Sequence, residues 1–201
     1  NAMRAMRGRV DGLIVLAPHL TEEELADAIP PRSPAVLINT RGDAGGYPGV
    51  RLDNEAGARA VADHLVSIGR KRILHIAGPE GNVDAQERAD PFTEALRQRG
   101  VAVQVIQGDF AEESGEAAVD ALLKSGQTFD AIFAANDMMA SGALQALNRA
   151  GLRVPEEVAV VGFDDVPLAR HIRLTTVRVR IAELGERAID RLIDILNGEQ
   201  D

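Results

Sequence analysis

Short apolar runs alternate with longer amphipathic stretches along this chain. The runs Gly12–Leu16, Ala35–Ile38, Arg72–Ala77, Val101–Ile106, Ala131–Ala134 and Val158–Val161 predict strands. Between them, Ala58, Val61, Leu65 and Ile68 form one stripe at helical spacing, ended by Gly69. Ile181, Leu184, Ala188, Leu192 and Ile195 form another, ended by Gly198. Gly100, Gly126 and Gly151 close further segments, as helix C-caps do. Strand, helix and strand in repetition imply right-handed crossovers and a parallel sheet, hence an α/β fold. Two passages break the rhythm and read as crossings between lobes. One is the glycine-rich loop Arg41–Gly49 leading to Asp53-Asn54; the other is the extended passage Pro167–Val179. Only about two strand–helix units precede Asp53, fewer than the ~4–6 strands usual for a sheet.

The run Val158–Val161 leads straight into Gly162, Phe163, Asp164 and Asp165. An uninterrupted run this short suits a strand buried on both faces, and ligands bind beyond the carboxyl ends of such strands. The other strand ends carry Ala17-Pro18-His19, Gly78-Pro79-Glu80-Gly81, Gln107-Gly108-Asp109-Phe110 and Ala135-Asn136-Asp137. Small residues, amides, carboxylates and one aromatic gathered at one sheet edge suit a small polyhydroxylated or otherwise polar ligand. Helix capping is the competing reading for these polar residues. It stands level with binding at Asp137, whereas binding is favoured at Asp164.

Composition narrows the field. With 201 residues and 45% hydrophobic content, the chain can bury one medium or two small cores. A net charge of −9 argues against nucleic-acid binding by this segment itself, since phosphate contacts need a basic face. The absence of cysteine excludes disulfides and thiolate-ligated metal sites. No apolar run approaches the ~18 residues of a membrane span. Asn1-Ala2 ahead of Met3 reads as the remnant of a cleaved tag. His64, His75 and His171 lack the paired ligands of a helical metal site and read as structural or surface residues. Neither a GxSxG nucleophile turn, a GxxxxGK[ST] phosphate loop nor a GxGxxG dinucleotide turn is present, so no cofactor or enzymatic activity is expected. Arg70-Lys71-Arg72 reads as a solvated turn.

With these residues in view, nearly the whole chain resembles the effector-binding domain of the LacI/GalR family of bacterial transcriptional regulators. The resemblance rests on Val10-Asp11-Gly12-Leu13-Ile14, on Gly78-Pro79 and on Ala135-Asn136-Asp137. It also rests on AGLRVPEEVAVVGFDD at residues 150–165, on Leu174-Thr175-Thr176-Val177-Arg178 and on Ala182-Glu183-Leu184-Gly185. It implies two doubly wound parallel-sheet lobes of the type I periplasmic-binding-protein kind, joined by three crossings, with the effector between them. The N-terminal lobe is expected over residues 1–53 plus 179–201, in partial form, and the C-terminal lobe over 54–178. A helix-turn-helix DNA-binding domain, absent from this chain, precedes these lobes in the family.

By the same resemblance, Asp164 looks like the carboxylate that binds the effector and Asn136 like the amide that meets it. Phe110 matches an aromatic that packs on the ligand, and Arg88 an arginine that reaches the cleft. His19 lines the first lobe's side. The effector is expected to be a carbohydrate, the assembly a homodimer and the location cytoplasmic, with no membrane contact. Operator DNA would be engaged only through the missing N-terminal domain. A sugar-binding protein of an ABC transporter shares the architecture and is the alternative. Two departures stand out. Val179 and Arg180 replace a glutamine and a proline, and Pro91 stands where a glycine is common. Asp90-Pro91 reads as an N-cap followed by proline at the first helical position, so that helix is expected to begin late.

Overall fold

The computed structural model describes residues 2–6, 8–17, 20–40 and 46–199. The chain divides into two units, Asn1–Leu52 with Arg180–Asp201 and Asp53–Val179. The first unit opens with α1 (Ala2–Ala5), β1 (Leu13–Leu16), α2 (Glu22–Ala28), β2 (Ala35–Ile38) and β3 (Gly49–Val50). The chain then builds the second unit from α3 (Asn54–Ser67), β4 (Arg72–Ala77), α4 (Val83–Gln98), β5 (Ala102–Gln107) and α5 (Glu112–Ser125). It continues with β6 (Ala131–Ala134), α6 (Asp137–Arg149), β7 (Ala159–Asp164), α7 (Pro167–His171) and β8 (Thr175–Arg178). It returns to the first unit as α8 (Ile181–Asn197).

The first unit is a parallel three-stranded sheet in the order β1-β2-β3, with Leu13 opposite Ala35 and Leu37 opposite Gly49. Alternation along β1 sends Leu13 and Val15 inward to meet Leu25 and Ile29 at the end of α2. A capping box starts α2: Thr21 Oγ1 accepts the Glu24 amide, and Glu24 Oε2 accepts the Thr21 amide. Leu184 and Ala188 of α8 cover Val36 and Val50 with Leu192 and Ile195 packed beside them, so the expected stripe faces this sheet except at Ile181, which is exposed.

The second unit is an all-parallel sheet in the order β5-β4-β6-β7-β8. On one face Ala58, Val61 and Leu65 of α3 and Phe92 and Leu96 of α4 pack on Ile73, Phe133, Val161 and Phe163. On the other, Val119 and Leu122 of α5 and Met139, Ala143 and Leu147 of α6 pack on Leu74, Ile76, Ile132 and Val160. Helices on both faces make this the doubly wound α/β arrangement expected from the alternation. Strand order reverses between β4 and β6, which places the topological switch point at their carboxyl ends.

Three expectations change. Strand β7 runs on to Asp164, past the expected end at Val161, because Val161–Asp164 pair with Thr175–Arg178. The passage Pro167–Val179, expected as a crossing between lobes, lies inside the second unit as α7 and the edge strand β8; the half-buried Thr-Thr-Val-Arg of β8 lacks the apolar run that marks central strands. Pro91 lies inside α4 rather than at its start. Asn82 caps that helix by accepting the Ala85 amide, and Val83, Ala85, Arg88, Phe92, Ala95 and Leu96 form one continuous buried stripe. Proline cannot donate to the carbonyl four residues back, a cost of about 3 kcal/mol, but burial of this stripe on both sides of Pro91 outweighs it.

Candidate functional site

Four of the five residues singled out in the sequence lie at the carboxyl edge of the second sheet; His19 lies outside the described residues. Asp164 ends β7 with φ +109°, and Asp165 follows with φ +58°. Two consecutive non-glycine residues in this half of backbone space carry strain, which accumulates at binding sites. The turn is held from the next strand. The Val179 amide donates to the Asp164 carbonyl, and Arg178 Nε donates to the Asp165 carboxylate. Asp165 is thereby committed to the turn, while Asp164 faces a different partner.

That partner is Arg88, on the second turn of α4. Its Nη1 stands 3.1 Å from Asp164 Oδ1 and donates to the Ala135 carbonyl at 2.6 Å. Its Cζ lies 4.0 Å from the centre of the Phe163 ring, a cation–π contact. Arg88 is 4% exposed, so most of its charge is removed from water and is met by these groups instead. Burial pushes the Asp164 carboxyl up to about 6; Arg88 pulls it down and Asp137 adds to the rise. Near neutrality this group can therefore accept hydrogen bonds as a carboxylate or, once protonated, donate one.

Asn136 is the N-cap of α6: its Oδ1 accepts the Met139 amide and its Nδ2 donates to the Phe110 carbonyl, both at 2.9 Å. Phe110 itself has φ +71°, and its ring lies so close over Gly78 that any Cβ there would overlap it. Asp164, Arg88, Ala135-Asn136 and Phe110 thus form one connected series across the ends of β7, β6 and β5. Asn136→Ala removes a helix cap and strands the Phe110 carbonyl. Urea unfolding should show a loss of about 1–2 kcal/mol.

Asp137 caps nothing. Its buried carboxylate accepts Thr176 Oγ1–H at 2.6 Å and the Val166 amide at 2.8 Å, tying α6 to β8 and to the loop after β7. Burial raises its pKa. Asn54, which the sequence marks only as part of a crossing, proves to be 1% exposed and bonded to Arg88. His75 is fully buried within the sheet, stacked on Phe133 and tilted against Phe92. His64 and His171 lie on α3 and α7. Among the described residues no cluster of His, Cys, Asp and Glu could hold a metal ion. A hollow of about 1250 Å³, lined by Leu144, Leu152, Val154, Leu168 and Ile172 among others, contains none of the site residues. No helix of the described residues is long and apolar enough to cross a membrane.

A doubly wound unit with strained backbone, a buried ion pair and amides converging at its switch point defines a small-ligand-binding domain. Comparison with known proteins agrees. A family model described as a periplasmic binding protein-like domain matches residues 62–201. The ribose operon repressor of Halalkalibacterium halodurans is 39% identical over 140 residues, which is 69% of this chain and 42% of that protein. A LacI-family transcriptional regulator from Burkholderia phymatum superposes with a TM-score of 0.88 and 33% identity, over 100% of this chain and 75% of its own. The lac repressor dimer bound to operator superposes with a TM-score of 0.87 and 30% identity, over 98% of this chain and 70% of its own. The chain belongs to the LacI family of transcriptional regulators, within its periplasmic-binding-protein-like region. It spans about half the length of the curated relatives it matches, 42% in the case of the ribose operon repressor.

Proposed function

We propose that this chain is the effector-binding region of a LacI/GalR-type regulator, holding a small carbohydrate at the carboxyl edge of the second unit's sheet. In the full-length protein, the ligand's different affinity for two conformations would control binding of operator DNA by a helix-turn-helix domain. The protein would act in the cytoplasm as a homodimer and carry out no chemistry on its ligand. Asp164 and Arg88 would meet the sugar's hydroxyls, one chiefly as acceptor and one as donor, with Asn136 and Phe110 shaping the edge beside them. The observation that carries this reading is the Arg88–Asp164 pair, buried on one side and set beside the switch point on a strained turn. The names of the matched relatives, repressors and regulators, favour this reading over a transporter's sugar-binding protein.

The test is thermal stabilisation of the full-length protein by a panel of D-ribose, D-galactose and cellobiose. A ligand at a hundred times its Kd stabilises by about 2.7 kcal/mol, which is a rise of roughly 5–10 °C for a chain of this size. Asp164→Ala should abolish that rise; because it takes a partner from the buried Arg88 charge it should also lower the unliganded melting temperature, so the rise is read against the variant's own unliganded value. An undiminished rise in the variant would remove Asp164 from the site.

A further inference from the structure

Asn54 opens α3 immediately after the boundary between the two units, and its side chain is wholly spent inside the second. Its Nδ2 donates to Asp84 Oδ1 at 2.7 Å and to Glu87 Oε2 at 3.1 Å. Carboxylates only accept, so the amide nitrogen must face them and the amide oxygen must face the other way. There Oδ1 accepts Arg88 Nε–H at 3.0 Å. The orientation of this amide is thus dictated by charge on one side and by a cation on the other.

The consequence falls on the guanidinium. Nε is held by Asn54, Nη1 by Ala135 and Asp164, and the flat face by Phe163. Nη2 has no partner among the described residues. Nor does it belong to the buried side-chain atoms that lack one, which are Arg70 Nε and His75 Nε2, so it keeps contact with solvent. Asp84 lies four residues before Arg88 on α4, the spacing at which a carboxylate and an arginine pair along a helix. Asn54 also engages the Asp84 carboxylate, holding it toward the amide nitrogen.

We propose that Asn54 is the positioning residue of this site: it fixes the guanidinium plane of Arg88 so that a single nitrogen, Nη2, is presented to the ligand. This rests on the reading of Arg88 as a ligand contact. Without Asn54 the guanidinium would turn about its own bonds and be drawn toward Asp84. The ligand would then have to order it on binding.

The experiment is side-chain NMR on the full chain labelled with 15N-arginine, with the Arg88 signals identified by their loss in Arg88→Lys. In the parent, Nη1 and Nη2 should give separate signals because rotation about Cζ–Nε is blocked. In Asn54→Ala they should merge into one averaged signal while the other arginines stay unchanged. Asn54→Ser, whose hydroxyl is too short to reach Nε, should do the same and serves if the alanine variant does not fold. Resolved Arg88 signals in either folded variant would overturn the positioning role. Whichever panel sugar stabilises the parent should bind Asn54→Ala about tenfold more weakly, the order of the cost of immobilising one long side chain. Full affinity in Arg88→Lys would sink the ligand reading instead, and the averaging in Asn54→Ala would then mark Asn54 as organiser of the ion pair alone.

Discussion

Gly142→Val is expected to destabilise the second unit by about 3 kcal/mol or more, the upper end of what overpacking costs, and to lower its melting temperature by roughly 10 °C. Helices α5 and α6 cross here with their backbones in contact. A Cβ on Gly142 would overlap the Glu112 carbonyl oxygen and lie 2.8 Å from the Glu116 amide nitrogen. On the facing helix, a Cβ on Gly115 would overlap the Met139 carbonyl oxygen. Backbone on both sides cannot give way as a side chain would. The two helices would have to separate, opening the layer that Val119, Leu122, Met139 and Ala143 seal over β4 and β6. Gly185→Ala provides the contrast. Among the described residues nothing lies within 4 Å of a Cβ at that position, so replacing a helical glycine should stabilise by about 0.5–1 kcal/mol. Urea melts of the two variants, followed by circular dichroism, separate a glycine required by packing from one that is not.

The second large effect is on pH dependence. Burial holds the His75 pKa down at about 4, against the ordinary 6.5 of an imidazole; its hydrogen bond to the Phe133 carbonyl only partly offsets this. A depressed folded-state value means that the unfolded chain binds the proton more tightly. The stability is therefore complete above pH 6.5 and is lost as pH falls toward 4. Linkage puts this loss at about 2 kcal/mol at pH 5 and about 3 kcal/mol below pH 4. Asp164 acts in the opposite sense. Its folded value of about 6 lies above the ordinary 3.8 of an aspartate, so its contribution is complete below 3.8 and is lost as pH rises through 6. Its side chain is 31% exposed, and solvent screening makes its share the smaller. The two slopes oppose one another between pH 4 and 6. Urea unfolding across this range should show a shallow decline in the parent and a steeper one in Asp164→Asn. In His75→Leu stability should rise as pH falls. A parent-like profile in His75→Leu would show that His75 does not titrate with folding.

The parts of the fold that could be read in the residues are those where one physical signal dominates. Central strands β4, β6 and β7 are apolar along most of their length, Arg72, His75 and Asp164 excepted, because both faces are covered, and their positions follow from that. Edge strands carry mixed residues. Accordingly β8 reads only as part of an extended crossing, and β5 begins one residue later than its apolar run suggests. Pro91 misleads because local backbone chemistry points to a helix start, whereas tertiary burial of the stripe around Phe92 decides the outcome. The site divides in the same way. Asp164 can be picked out by its place after a buried strand, and Asn136 by its place before a helix. Asn54 cannot be found this way, since its role depends on Asp84, Glu87 and Arg88 arriving from another helix. Asp137 shows the limit of capping rules: its neighbour Asn136 takes the cap and leaves it to bridge to Thr176 and Val166.

The return of α8 to the first unit imposes an order of events during translation. Residues 53–179 are contiguous and can close as soon as β8 has left the ribosome. The face formed by Val36 and Val50 stays uncovered until Leu184 and Ala188 have been added. At the usual 5–20 residues per second, synthesis of the intervening stretch takes on the order of ten seconds. For that interval in every round of synthesis, while the second unit is still being made, the apolar face of Val36 and Val50 is open to mispairing or to a chaperone.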